Sequence, residues 1–213
     1  MIKLKNIDLI SINCVNPEQS VKALLYSSEK IEFGSIKLFA HYKPNNITDK
    51  IEFIQTEPLT HDTINWFSLN ELPKYIDNEF MISIHDDGFI INSENWSDEF
   101  LKYDYIGAPW PALDWCIKNR VGNGGFVMKS KKFMNIESTL PYTLNHNDVL
   151  VTNTYYDYFT YHGCKYAPID IAGKFALEHD IPEVEYDLNN TFGFHGKLTQ
   201  QALDKIKLLE KYD

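Results

Sequence analysis

The apolar residues of this chain cluster in short, dense runs, with stretches of helical spacing between them. Ile7–Asn13 (IDLISIN) reads as a buried first strand. Asn16-Pro17 then opens a helix that runs through Ser28, because Asn caps a helix well and Pro is tolerated in its first turn. Ile36–Ala40 and Ile51–Ile54 are β-rich runs set apart by polar turn residues. A helix is expected to begin near Thr60 or Asp62 and to run towards Tyr75, with a break at Pro73. Phe80–Ile84 (FMISI) is apolar throughout, as a central strand covered on both faces should be. Strands alternating with helices in this way predict an α/β fold with a mostly parallel sheet.

Beyond Gly88 the pattern loosens. Ser93–Leu101 reads as a short helix, residues 103–125 as loop, Phe126–Met128 as a short strand and Ser130–Glu137 as a helix. Asn147 is placed to cap a helix running to His162, with Gly163 at its end. On that helix Val151, Tyr155, Tyr158, Phe159 and His162 fall on one face, a stripe better suited to core packing than to a binding surface. An amphipathic helix over Thr199–Tyr212 closes the sequence, and no repeat, low-complexity tract or flexible linker divides it.

Composition narrows the function classes. The 213 residues, 44% apolar and 14% aromatic, suffice for one substantial core and exclude a disordered chain. A formal charge of −10 argues against nucleic acid and against an anionic membrane surface, since both are held by clustered Lys and Arg. A phosphorylated substrate would then need local neutralisation, and a divalent cation supplies it. Opposite unit charges 4 Å apart attract by about 4 kcal/mol at an effective dielectric of 20. Cys14, Cys116 and Cys164 form no CxxC pair, which predicts reduced thiols and an intracellular, cytoplasmic protein. Met1–Ile12 is broken by Lys3, Lys5 and Asp8, so it reads as a strand and not as a leader, and no later run suits membrane insertion.

Four places carry candidate chemistry. His85-Asp86-Asp87-Gly88 follows the apolar strand directly, and ligands of open α/β sheets bind outside the carboxyl ends of strands. Oxygen ligands there suit Mg²⁺ or Mn²⁺, although Asp-Gly also marks an ordinary polar turn. Gly122-Asn123-Gly124-Gly125-Phe126 permits close approach of backbone to a ligand, or is simply a turn. Asp148 falls in the first turn of a helix, where an ionised carboxylate is favoured both as a general base and as a mere helix-end acid. His195, within Phe192-Gly193-Phe194-His195-Gly196, can serve as a metal ligand or as a structural histidine.

In combination these segments are more specific. Residues 100–111 (FLKYDYIGAPWP) and 120–126 (RVGNGGF) resemble a family of GT-A-like proteins from bacteria and large viruses. That family orders its landmarks similarly: a short acid motif, DYIGAPW, GNGGF, an acidic residue opening a helix, an A-P-x-x-x-A segment (here Ala167-Pro168 to Ala172) and FGFHG. The resemblance covers roughly residues 50 to 197.

It implies a single GT-A-type nucleotide-diphospho-sugar transferase domain over 1–213. The nucleotide-binding part would occupy roughly 1–92 and the acceptor side roughly 93–213. It further implies a metal-dependent glycosyltransferase, acting on hexosyl or deoxyhexosyl donors, with Mn²⁺ or Mg²⁺ as cofactor. The donor would be a UDP-sugar in first place, or a GDP- or dTDP-sugar, and the acceptor a glycan or glycoprotein hydroxyl.

By position, Asp87 and His195 correspond to metal ligands, with Asp86 sharing the ion; His85 stands where many GT-A enzymes have Asp and is assigned to the donor's ribose or phosphate. Gly124 and Gly125 are similar to the glycine pair that approaches the donor sugar, and Asp148 fills the place of the base in inverting enzymes. Ser11, Asn13 and His41 are assigned to the nucleoside, and Asp104 and Trp110 to the sugar or acceptor, with Trp110 equally suited to anchoring the core. Two other functions compete: a binding module that keeps the fold without catalysis, and a nucleotidyltransferase. Against the latter, Ser11–Gln19 has no Gly, Lys or Arg to hold a triphosphate.

Overall fold

A computed structural model describes residues 1–141, 146–197 and 199–212. The first half of the chain builds parallel strands: β1 (Ile2–Ile12), β2 (Ile31–Ala40), β3 (Glu52–Gln55) and β4 (Phe80–Ile84). Helix α1 (Pro17–Ser27) carries the chain from β1 to β2, its start fixed by the Asn16 side chain accepting from Gln19 N. Helix α2 (His61–Trp66), capped by Thr60, leads towards β4. It does not break at Pro73. The coil widens into a π-helical turn over Phe67–Glu71 and tightens into a 3₁₀ turn over Leu72–Tyr75, where Pro73 sits in the first turn and has no intrahelical bond to lose.

The second half adds antiparallel strands. β5 (Tyr105–Gly107) and β6 (Phe126–Ser130) complete a six-stranded sheet of order β3-β2-β1-β4-β6-β5, in which β6 runs against both β4 and β5. The sheet is mixed and mostly parallel, with helices on both faces. β5 lies inside the stretch expected to be loop; its three residues are too few to leave a periodic signal. The excursion between β5 and β6 is itself held, by Trp110 N donating to Arg120 O and Gly122 N donating to Ala108 O.

Helix α3 (Lys131–Glu137) is capped by Ser130. The expected long helix over Asn147–His162 is instead α4 (Asn147–Val149), a π-helical turn over Leu150–Thr154 and, after a break at Tyr155, α5 (Tyr156–Tyr161). Thr152 Oγ1 bonds back to Asp148 O and Asn153 Nδ2 reaches Asn119 O, so side chains here compete for backbone groups. The residue in the cap position is His146, and Asn147 is the first helical residue. The interruption also rotates the stripe. Val151 and Phe159 are buried, whereas Tyr158 and His162 face solvent. α6 (Ile169–Phe175), a two-stranded pair β7 (Ala176–Leu177) and β8 (Gly193–Phe194), and α7 (Gln200–Ile206) with its 3₁₀ extension to Tyr212 complete the chain.

Alternation along the strands sorts the core. One face of the sheet packs Leu9, Leu38, Ile82, Ile84, Phe126 and Met128 against α1, α6, Phe192 and Phe194. The other face splits in two. Ile10, Phe39 and Met81 meet Phe67 and Leu72 after α2, while Tyr105 and Val127 meet Phe133, Val151 and Phe159. No helix among the described residues is long and apolar enough to cross a membrane.

Candidate active site

The turn after β4 is where the distant motifs meet. His85 N donates to both Gly88 O and Gly125 O, which locks HDDG against GNGGF. The closing FGFHG segment returns alongside: Phe194 N donates to Phe89 O, His195 N to Leu177 O and Gly196 N to Asp87 O. His195 thereby lies between two glycines. A Cβ on Gly125 would stand 2.1 Å from its Nε2, and one on Gly88 2.9 Å from its Cδ2, so both positions exclude any side chain. Gly88 and Gly125 leave the room that this imidazole occupies.

Ligand atoms of His85, Asp87 and His195 all lie within 4.8 Å of one another, the one such group of three or more among the described residues. His195 Nε2 is 3.5 Å from Asp87 Oδ1, and its Nδ1 is 3.1 Å from Glu178 Oε1. Glu178 Oε2 in turn accepts from Asn123 Nδ2 at 2.7 Å, and Asn123 Oδ1 accepts from Gly125 N. Asn123 has a φ of 65°, a left-handed conformation that Asn tolerates better than most residues. Lys197 approaches Asp87 at 3.9 Å.

The charges are set unequally. Desolvation and the neighbouring His195 push His85 down to about 4, leaving a neutral imidazole with a free lone pair. Desolvation also works against protonation of His195, but hydrogen bonds to Asp87 and Glu178 outweigh it and raise the group to about 9. The His195 hydrogen bond holds Asp87 low, whereas burial and the Asp87 charge raise Asp86. Two imidazoles and a carboxylate form a mixed nitrogen and oxygen donor set, which fits Mn²⁺ better than the all-oxygen preference of Mg²⁺.

The cluster borders a cleft of about 700 Å³, the size of a small-molecule site. Asn13, His85, Asp86, Trp110, Gly124, Gly125, Asp148 and His195 all line it. Asp148 Oδ2 accepts from Gly124 N at 3.1 Å, and Oδ1 accepts from Val149 N at 2.8 Å. Trp110 is 6% exposed, packs edge-on to Trp115 and fills the space over Gly122. Asn13 borders the cleft but spends its oxygen on Val15 N and Asn16 N.

Three expected residues are not brought there. Asp104 precedes β5 at the opposite end of the sheet, where it accepts from Ser130 Oγ and Lys165 N. Ser11 is fully buried on β1, on the face opposite Ile12, which lines the cleft. His41 packs edge-on to Tyr42 away from it. Asp86 lines the cleft but is not part of the three-ligand group, where His85 stands instead. Glu178 was missed, although an acid directly after the apolar run Phe175–Leu177 obeys the same strand-end rule that singled out HDDG.

A family model matches residues 51–195, more than half of the chain. The chain belongs to the family described as protein of unknown function DUF5672. All of the meeting motifs lie within or just beside that DUF5672 span. No curated protein matches the chain. Among solved structures, an active-site mutant of LgtC is similar at a TM-score of 0.55 and 13% identity, covering 96% of this chain and 95% of that one. A glycosyltransferase involved in the glycosylation of the major capsid of PBCV-1 is similar at a TM-score of 0.50 and 14% identity, covering 96% and 98%. The fold of this DUF5672 protein is therefore that of GT-A glycosyltransferases.

Proposed function

We propose that this protein transfers a sugar from a nucleotide-diphosphate donor to a hydroxyl of a glycan or protein acceptor, with a divalent metal as cofactor. The observation that carries the proposal is the gathering of His85, Asp87 and His195 at the carboxyl end of a central strand, beside a ligand-sized cleft, in a fold shared with glycosyltransferases. When bound, the metal would neutralise charge on the donor diphosphate. Asp87, His195 and His85 are its candidate ligands, with Asp86 close enough in sequence to assist.

The other roles fall to groups lining the same cleft. Gly124 and Gly125 offer no side chain to keep the donor sugar at a distance. Asp148 is the candidate base for the acceptor hydroxyl, a role that yields inversion, and its carboxylate is aimed by the Gly124 and Val149 amides. Trp110 and Asn13 are candidates for shaping the acceptor and nucleoside ends. A UDP-sugar is the first donor to try.

A thermal-shift screen of nucleoside diphosphates and their sugars, with Mn²⁺, Mg²⁺ or EDTA, tests the donor site. Stabilisation by one nucleotide that EDTA and Asp87→Ala both abolish supports it. Release of nucleoside diphosphate on adding acceptor, lost in Asp148→Asn, supports transfer. Metal-dependent nucleotide binding without any turnover would favour the binding-module alternative. No shift with any nucleotide would overturn the donor site.

A further inference from the structure

The cleft does not end at the metal-ligand cluster. It continues along the sheet face, into the seam between the two core clusters of that side, where Ser83, Met81, Val127, Lys129 and Tyr105 line it. Strand pairing sets this floor. Tyr105 stands opposite Lys129, Lys129 opposite Met81, and Val127 opposite Ser83, so their side chains share a face.

The floor is more polar than a core needs. Lys129 is 5% exposed and its ammonium lies 2.5 Å from Oε1 of Glu137, which is fully buried. A buried ion pair is weak support for a fold, because desolvating both charges offsets most of their attraction. Two oxygens beside it are left over. The Tyr105 hydroxyl and Glu137 Oε2 are buried with no hydrogen-bond partner in the structure. Burial keeps the Tyr105 phenol firmly protonated, and therefore a donor. Such groups are rare in native interiors unless a ligand or water completes them. Packing does not require the hydroxyl: the ring already rests against Phe133 and Tyr166, with centroids 5.1 and 5.6 Å away.

We propose that this inner end of the cleft seats a hydroxyl-bearing sugar ring, the moiety being transferred, with the Tyr105 hydroxyl and the Lys129 ammonium as its hydrogen-bonding groups. The inference rests on the donor-sugar function proposed above. Glu137 positions Lys129 and balances its charge, so the pair is neutral overall and the chamber selects a neutral polyol and not an anionic group. A hydroxyl both donates and accepts, as the chamber demands. A site built to bond a substrate hydroxyl also rejects the analogue that lacks it.

Tyr105→Phe is the decisive variant, because it deletes an oxygen that no protein group uses. Calorimetric titration with Mn²⁺ present compares UDP, GDP and dTDP with their hexose conjugates on wild type and variant. The expected result is unchanged affinity for the diphosphate and a loss of about tenfold for the sugar conjugate, in a variant at least as thermostable as wild type. The double variant Lys129→Met with Glu137→Leu, which leaves no charge orphaned, should show the same selective loss.

Equal affinity of wild type and Tyr105→Phe for the sugar conjugate overturns the inference while leaving the donor site intact. Equal losses for diphosphate and conjugate overturn it too, as a general distortion of the cleft. Failure of wild type to bind any nucleotide overturns the donor site, and the inference with it.

Discussion

At the scale of single residues, the site depends on what is missing as much as on what is present. Gly125 lies under the His195 ring, where a methyl group would stand 2.1 Å from Nε2. That neighbour is a rigid ring, also approached by Gly88 and held by Asp87 and Glu178, so it cannot swing clear. Gly125→Ala should therefore keep the fold, monitored by circular dichroism, and lose Mn²⁺ binding by at least about tenfold. Glu178 acts differently, by fixing which His195 nitrogen faces Asp87. Such outer partners of a metal-bound imidazole typically matter by 10- to 100-fold in affinity, and a loss of about that size is expected for Glu178→Gln in a Mn²⁺ titration. The same pair gives a pH signature in metal-free protein. His195 is raised from 6.5 to about 9, so its contribution to stability is complete below pH 6.5 and is lost as pH rises through about 9. An NMR titration of the imidazole should place its midpoint near 9 in wild type and lower in Glu178→Gln. Because a metal must displace that proton, apparent Mn²⁺ affinity should climb with pH across the same window.

At the scale of elements, a side-chain bond between helices helps to position Asp148. Asn65 on α2 uses its oxygen to accept Asn147 N, while its amide donates to His61 O. It thus pins the start of α4, where Asp148 sits, to a helix more than eighty residues earlier. Asn65→Ala is expected to lower kcat by about tenfold with little change in the Kd for nucleotide, as loss of alignment without loss of binding would. An equal fall in nucleotide affinity would show that the contact serves the whole cleft. The elements that the sequence displayed well were the ones with repeated signal. Phe80–Ile84, the cap at Asn16 and the Ser130 start of α3 all follow from runs or cap chemistry of several residues. β5 was invisible because three residues carry no period, and the π-helical turn at Leu150–Thr154 because Thr152 bonds back to Asp148 O while Asn153 finds a partner, Asn119 O, far away in sequence. The site was legible in the same uneven way. HDDG, GNGGF and FGFHG announced themselves by unusual composition. Glu178 and the Tyr105–Lys129–Glu137 floor look like ordinary strand and helix residues until the sheet register brings them together. Asp104 was misplaced for the converse reason: it lies within a distinctive motif, but at the motif's amino end, which the strand direction carries away from the cleft.

At the scale of the molecule, the ligand cluster joins two parts of the chain about a hundred residues apart in sequence. Asp87 follows the last parallel strand of the first half, whereas His195 is carried by the two-residue strand β8, whose pairing with β7 is equally short. Backbone bonds from Phe192–Gly196 to Asp87, Phe89, Ile91, Asn92, Lys174 and Leu177, and the His195 links to Asp87 and Glu178, secure that return. A metal held by both ends would close the loop and stabilise the folded state by mass action. At a hundred times its Kd, the gain is about 2.7 kcal/mol, or roughly 5–11 °C in Tm at about 2–4 °C per kcal/mol for a chain of this length. Mn²⁺ should therefore raise Tm by that amount and protect residues 193–197 from amide exchange more than α1, which carries no residue of the cluster. Mg²⁺ should do less at equal concentration, because two of the three ligands are imidazoles. His195→Ala should abolish both effects while leaving the exchange of α1 unchanged. Uniform protection of the whole chain would instead mean that the closing segment is already as secure as the sheet, and that the metal serves the cleft's chemistry alone.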